Sequence, residues 1–462
     1  MQSEVVIIGG GIPGLTTAYF LSQAGRQITI VEKEAALGGL ARSFRVEFPW
    51  SGMEGEAEPK RSFFPDRYYH FFLRKDRNIV SFLQELGLGE EIIWQPLTFG
   101  IFSKGGIKFL GYLYEKEIVP FASALDVLKT RKISLGDKIA LARIYRRLKK
   151  VKSFPELEES TAREFFSSSG GKSLYESIFA PLIYGKWGAA ADEISAAWLW
   201  ARIASRSAEG ADRDAGCLKG FLHTLITRLE EVLLNSGVKI FTSTRATRII
   251  VDQGAVKAVA FEGPEGAGEI EANCVISTAP VPQLLEIIQL PAKFQDGYAK
   301  IDYIGCICLA LGLKESLSNF LRVVSMPGLS SFNGWVEITN IVAPEYLKGA
   351  HLVYVFKFLR PQEEFYDRGD EEIKRIFLGD LERLIVNFNP EDVLWARVHR
   401  TEFADPIFRL NYSSRMPQIQ GPCRGLYLLG LFNVLPMGDI NNIIGGARNL
   451  SELAEGFLEQ EN

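Results

Sequence analysis

The 462-residue chain is 47% hydrophobic and 23% charged, long enough for two or three domains and too apolar for disorder to be expected. A formal net charge of -4 gives no basis for nucleic acid as a partner of the whole molecule. Five scattered cysteines and four distant histidines supply neither a disulfide framework nor metal-ligand spacing, so no metal site is expected.

The opening MQSEVVIIGG lacks the basic segment of a secretory signal, and the uncharged run Val5 to Gly25 is broken by five glycines and Pro13. It reads as strand, tight loop and helix rather than as a membrane span, and the expectation is a cytoplasmic protein with reduced thiols. Val5 to Ile8 is an apolar, β-branched run of the kind that forms a buried parallel strand, and it leads into Gly9-Gly10-Gly11-Ile12-Pro13-Gly14.

That spacing is GxGxxG. Gly9 permits the turn, Gly11 lets backbone approach a pyrophosphate, and Gly14 lets the next helix lie against the strand with its N-terminal dipole facing the phosphates. Pro13 suits a first helical turn. Leu15 to Ala24 is the predicted helix, Gly25 its stop, and Gln27 to Val31 a second strand ending in Glu32. A carboxylate there accepts hydrogen bonds from a ribose 2′-OH and repels a 2′-phosphate, so the nucleotide is of FAD or NAD type.

The continuation Glu32-Lys33-Glu34-Ala35-Ala36-Leu37-Gly38-Gly39-Leu40-Ala41-Arg42-Ser43 resembles the extended dinucleotide signature of the flavin amine oxidase, protoporphyrinogen oxidase and phytoene desaturase superfamily. The resemblance implies non-covalent FAD, with Gly38, Gly39, Leu40 and Ala41 near the cofactor and Arg42 on its pyrophosphate or ribityl region. It also implies an α/β fold: a discontinuous Rossmann-type FAD-binding domain (1–70, 211–285 and 420–462), a helical and substrate part (71–210) and a substrate-domain sheet (286–419). Lys219 to Ser236 has the apolar spacing of a helix, and strands are predicted at Val238 to Phe241, Arg245 to Val251 and Ala255 to Phe261. By the resemblance, Ala246 meets the adenine through its backbone. Cys274 to Pro280 is similar to the strand and turn that close the central section, placing Thr278 in the cofactor set.

Near the end, Gly425 to Gly430 reads as a buried strand and loop, and Ile443 onward as a helix with Asn441 or Asn442 as N-cap. In relatives the start of this helix faces the flavin, so Gly430, Gly438, Asp439, Ile440 and Asn441 complete the expected cofactor set. Leu431 stands where an acid often follows the glycine, and Asp439 or a backbone group is expected to take over that contact.

The catalytic candidates are His70 and Tyr69, in a segment that resembles the histidine segment of UDP-galactopyranose mutases, and Trp187. A histidine there can tune flavin N5 or relay a proton. Tyr184, Lys186, Arg202 and Arg206 are candidate substrate contacts, the alternative for 181–188 being an ordinary loop-to-helix junction. Gly305 lies near the place of the lysine used by amine oxidases, which favours desaturation, ring oxidation or a mutase-like reaction over amine oxidation. The CxC pair Cys306/Cys308 is read as pointing its thiols to opposite faces of a strand.

From Lys129 to Lys152 there are ten Lys or Arg residues and a single acid, Asp137, and Ile139, Ala142, Tyr145, Leu148 and Val151 are predicted to share one helical face. Such a stretch lies on anionic membrane, peripherally at its inner face, guides an acidic substrate, or is a solvated helix. The leading expectation is an FAD-dependent oxidoreductase acting on a bulky, lipid-like substrate. The alternatives are a mutase-like flavin enzyme without net redox and a lipid-binding escort resembling GDP-dissociation inhibitors.

Overall fold

In the computed structural model, residues 1–47, 62–103, 106–109, 134–151, 154–206, 214–386, 388–435 and 438–461 are described. The opening strand Val5–Ile8 is central in a five-stranded, all-parallel sheet, between Cys274–Ser277 and Ile28–Val31, with Leu426–Leu428 and Lys239–Phe241 at the edges. Alternation sorts its side chains into two layers. Val5 and Ile7 pack with the helices Ile12–Gln23, Phe221–Asn235 and Ile440–Glu461, while Val6 and Ile8 face the antiparallel sheet of Arg245–Asp252, Ala255–Gly263 and Gly266–Glu271. Burial on both faces explains why the strand reads as a continuous apolar run.

The first helix starts at Ile12, earlier than predicted, because Pro13 fits its first turn and Gly11 is its N-cap. The last helix starts at Ile440, and the carboxylate of Asp439 accepts from the Asn442 backbone N–H at 2.8 Å. Asp439 is thus the cap, correcting the expectation of Asn441 or Asn442. The Asn441 side-chain oxygen instead accepts from the backbone N–H groups of Asn78 and Ile79 at 2.9 and 3.3 Å, at the start of the helix Arg77–Glu85.

A seven-stranded sheet forms the second body, in the order Val393–Pro406, Tyr303–Leu313, His351–Leu359, Gly334–Glu337, Arg322–Ser325, Phe99–Ser103, Gly106–Phe109. Its outer two strands come from a region expected to be helical, so the sheet is assembled from both sides of residue 286. One face carries Ile307, Leu309, Leu311, Val353 and Val355 against the helix Asp370–Leu384. The other carries Cys306, Cys308, Ala310, Tyr354, Phe356 and Phe358, turned toward the dinucleotide unit. Cys306 and Cys308 therefore share a face, because residues two apart on a strand point the same way; the opposite-face expectation was wrong. All five cysteines are buried and unbridged.

The helical part comprises Leu135–Lys150, Ala162–Ser168, Ala180–Trp187 and Ala196–Arg206 around Phe165, Phe166, Phe179, Ile183 and Trp198. Residues 181–187 are helix rather than a junction. On Leu135–Lys150 the buried side chains are Ala140, Leu141 and Ile144, while Ile139 and Ala142 of the predicted apolar face are exposed. Arg147 ties this helix to Ser168 and Ser169 at 2.8 Å each. Residues 129–133 and 152 of the basic stretch lie outside the described residues. Among the described residues, no helix is long and apolar enough to cross a membrane.

Candidate active site

Two glycine turns meet at the carboxyl end of the central strand. Gly9 has φ +106°, and an added Cβ would sit 2.3 Å from Thr278 Oγ1, a hydroxyl that itself donates to the Ile8 carbonyl at 3.0 Å. A Cβ on Gly14 would lie 2.0 Å from the Gly9 carbonyl oxygen, so only glycine allows this helix–strand contact. At Gly11 the nearest protein atom to an added Cβ is 3.6 Å away, leaving that edge of backbone open to a ligand. The second turn, Gly38-Gly39, has φ of +111° and +56°, and the Gly38 N–H donates to the Gly10 carbonyl at 2.8 Å. Leu40 and Ala41 continue it as one 3₁₀ turn.

Glu32 holds the first turn and the chain that leads to the second. One carboxylate oxygen accepts from the Gly10 N–H at 2.7 Å and the other from the Glu34 N–H at 2.8 Å, and the residue is buried. Its backbone carbonyl accepts from the Thr244 backbone N–H, two residues before Ala246, so the segment expected to reach an adenine is bonded directly to the end of the second strand. Lys33 points to the rim, donating to Gln283.

The guanidinium of Arg42 pairs with Glu34 at 3.2 Å, yet its Nε is buried without an acceptor. Arg67 repeats this: its Nε is buried and unpartnered, its backbone N–H donates to the Arg42 carbonyl, and burial, then the neighbouring Arg42, lowers its pKa. Two guanidinium groups with unused donors, an uncapped helix start and backbone stripped of Cβ atoms form a cradle that fits a dinucleotide pyrophosphate. Arg67 was missed in the sequence because no motif marks it; the chain beyond the undescribed residues 48–61 brings it back beside Arg42.

That returning segment also carries the catalytic candidates. Asp66 is buried, accepts from Ser43 Oγ at 3.0 Å and from the Leu222 N–H at 3.1 Å, and its backbone carbonyl accepts from the Tyr354 hydroxyl at 2.8 Å. His70 Nδ1 lies 3.5 Å from Asp66 Oδ2, within ion-pair reach of a protonated ring but without a hydrogen bond, so this buried nitrogen has no acceptor. Burial raises the Asp66 pKa, opposed by His70, Ser43 and the Leu222 N–H. The structure thus pairs the predicted His70 with an aspartate the sequence did not single out, and Asp66 links the glycine turns to the large sheet. Tyr69 lies with its ring centroid 5.1 Å from that of Phe356 on the sheet.

The sheet edge beside this segment is aromatic. His399 packs 4.6 Å from Phe44 and 6.4 Å from Tyr68, ring centroid to ring centroid, and burial, then Arg67, lowers its pKa to about 4. Lys186 reaches the same face over the Phe358 ring at 4.5 Å, and pairs with buried Asp405 at 2.9 Å. The carboxylate of Asp405 holds this lysine on the sheet face. Tyr184 is half-buried on the same helix, and burial raises its pKa.

Trp187 is fully buried between Trp198 and Phe408, with edge-to-face contacts at 5.2 and 6.0 Å, and belongs to the core rather than beside a substrate. Arg202 and Arg206 lie in the helix Ala196–Arg206; their side chains are outside what is described. Gly430 donates to the Asn433 side chain at 3.0 Å, and the Asn433 amide donates back to the Leu428 carbonyl at 2.8 Å. Among the described residues, no group of three or more potential ligands could hold a metal ion.

The sequence model of the flavin containing amine oxidoreductases matches residues 12–427. The chain belongs to this family. A family member of this kind is an oxidoreductase whose cofactor is FAD, the group the cradle fits. Full-length structural likeness extends to a protein described as a protoporphyrinogen oxidase from Exiguobacterium sp. 255-15 (TM-score 0.73, 18% identity, 100% of each chain). It extends also to a reduced UDP-galactopyranose mutase (TM-score 0.70, 15% identity, 98% of this chain and 94% of that one). At such identities the likeness is one of fold. Among curated relatives, a carotenoid 3,4-desaturase of Haloarcula japonica is 35% identical over 69 residues, 15% of this chain and 13% of that protein. An L-amino-acid oxidase of Bothrops moojeni is 35% identical over 83 residues, 18% and 16% respectively. The chain thus spans less than a fifth of these relatives in the matched region.

Proposed function

We propose that this flavoenzyme dehydrogenates a bulky, mainly apolar small molecule lying between the His70 segment and the face of the large sheet that bears Phe356 and Phe358. The observation that carries the reading is the link made by Asp66: one residue joins the glycine-turn side through Ser43, His70 through an ion-pair contact, and the sheet floor through Tyr354. FAD held by the glycine turns, Arg42 and Arg67 would supply the hydride acceptor for this oxidation. The accompanying proton is taken by His70, whose ring Asp66 orients and whose positive charge that carboxylate stabilises. The apolar floor excludes water and binds substrate surface. The desaturases among the relatives act, by their names, on carotenoid and phytoene, which supports an apolar substrate.

Anaerobic mixing with apolar candidate substrates tests this. Bleaching of the flavin absorbance is expected, slowed on the order of a hundredfold in His70→Gln with FAD content unchanged. Turnover of a substrate with neither bleaching nor acceptor consumption would replace this reading with a mutase-like one. Within the same reading, exposed Leu135 and Ile139, beside Arg143 and Arg146, meet an anionic lipid surface from which substrate is drawn. Co-flotation with anionic vesicles is expected, and its absence would mean that substrate enters from solution.

A further inference from the structure

Among the described residues, several partly buried cations are answered by carboxylates. Arg26 pairs with Glu4 and Glu455, Arg360 with Glu193, Arg409 with Glu193 and Asp302, and Lys186 with Asp405. Arg322 differs. It is 4% exposed, yet among the described residues no carboxylate pairs with it, no acceptor takes a hydrogen bond from its guanidinium, and its Nε is buried without a partner.

What surrounds the group is aromatic. Arg322 Cζ lies 5.4 Å from the Tyr69 ring centroid, 5.4 Å from that of Phe356 and 5.7 Å from that of Phe99. The rings offset part of the desolvation cost through their quadrupoles but leave the buried Nε–H without an acceptor. Arginine does not neutralise by losing its proton, so the deficit persists. A buried cation left in this state is relieved by an incoming anion, and a guanidinium matches a two-oxygen anion bidentately.

Its position fits that role. Arg322 opens the strand Arg322–Ser325, and two residues on, on the same face, Val324 packs against Gly185. This is the face that carries Phe356, and Tyr69, whose ring flanks the guanidinium, is adjacent to His70 in the chain.

We propose that Arg322 is a substrate anchor, and that the apolar substrate carries an anionic oxygen group, a carboxylate or a phosphate, which this guanidinium pairs with while the hydrocarbon body lies on the sheet floor. The proposal rests on the placement of substrate on that floor. It is distinct from the pyrophosphate cradle, which uses Arg42 and Arg67.

The test uses the FAD-loaded protein and four probes of one chain length: dodecanoate, dodecyl phosphate, dodecanol and dodecylamine. Binding is read from perturbation of the flavin spectrum and turnover, separately, from bleaching. At least one of the two anions is expected to bind tenfold or more tightly than the neutral and cationic probes, and the tighter anion identifies the group. Arg322→Met is expected to abolish that preference with FAD content and melting temperature maintained, because a neutral side chain removes an uncompensated charge. Arg322→Lys is expected to retain a reduced preference. Equal affinity for anionic and neutral probes, or an anion preference that survives Arg322→Met, would overturn the proposal. Should the Met variant fail to fold, an unchanged preference in Arg322→Lys overturns it. Anion binding without any bleaching would leave the anchor standing and count against the dehydrogenation reading alone.

Discussion

His399 shows how one residue reports its surroundings. Folded, it is held near pH 4 by burial and by Arg67, against an ordinary value of 6.5. Between those values the unfolded chain holds more of the proton, so the contribution of His399 to stability is complete above 6.5 and is lost as pH falls toward 4. The slope is worth at most on the order of 3 kcal/mol. Denaturant titrations at pH 7 and pH 4.5 should show a smaller acid-side loss for His399→Gln than for the natural protein; equal losses would contradict the assignment. Glu32 gives a second residue-scale test. Glu32→Ala leaves the buried Gly10 N–H without its acceptor, and is expected to weaken FAD retention on gel filtration by tenfold or more.

At this scale the sequence was legible where the chemistry is local. Gly14 and Glu32 act within one strand–helix–strand unit, where Gly14 meets the Gly9 carbonyl and Glu32 the Gly10 N–H. Asp66, Arg67 and Arg322 have no such signature. Their roles depend on neighbours far away in the chain, Tyr354 for Asp66 and the rings of Tyr69, Phe99 and Phe356 for Arg322.

Among elements, helix ends carry the clearest lesson. Asn441 looked like the cap of its own helix because Asn is common at such positions, but Asp439 fills that role and frees Asn441 to cap Arg77–Glu85. Helix packing makes this bond feasible: a Cβ on Gly445 would lie 2.5 Å from the Asn78 side chain, so the two helices touch there. Asn441→Ala is expected to destabilise the protein by about 1 kcal/mol in urea unfolding, and Asn441→Asp, which keeps the acceptor, by much less. Comparable losses in the two variants would show that packing rather than capping matters. The basic helix Leu135–Lys150 taught the reverse. Leu148 and Val151 of the predicted face pack against the core while Ile139 and Ala142 are exposed, since periodicity alone did not decide between Ile139 and Ala140 without knowledge of what the helix packs on.

Across the whole molecule, the parallel sheet was legible from both ends of the chain inward, because each of its strands adjoins a glycine turn or a helix of recognisable spacing. The large sheet was not. It collects strands from Phe99 to Pro406, and non-local pairings of this kind leave no period in the sequence. The two bodies meet at the segment Asp66 to His70, where Asp66 bonds Ser43 and Tyr354 and Tyr69 packs on Phe356, and the chemistry proposed there requires FAD in the cradle. The most direct measurement is the absorbance spectrum of the purified protein before and after heat denaturation, with chromatographic identification of what is released. One FAD per chain, freed intact, is the predicted result; a colourless protein that FAD does not reconstitute would contradict it.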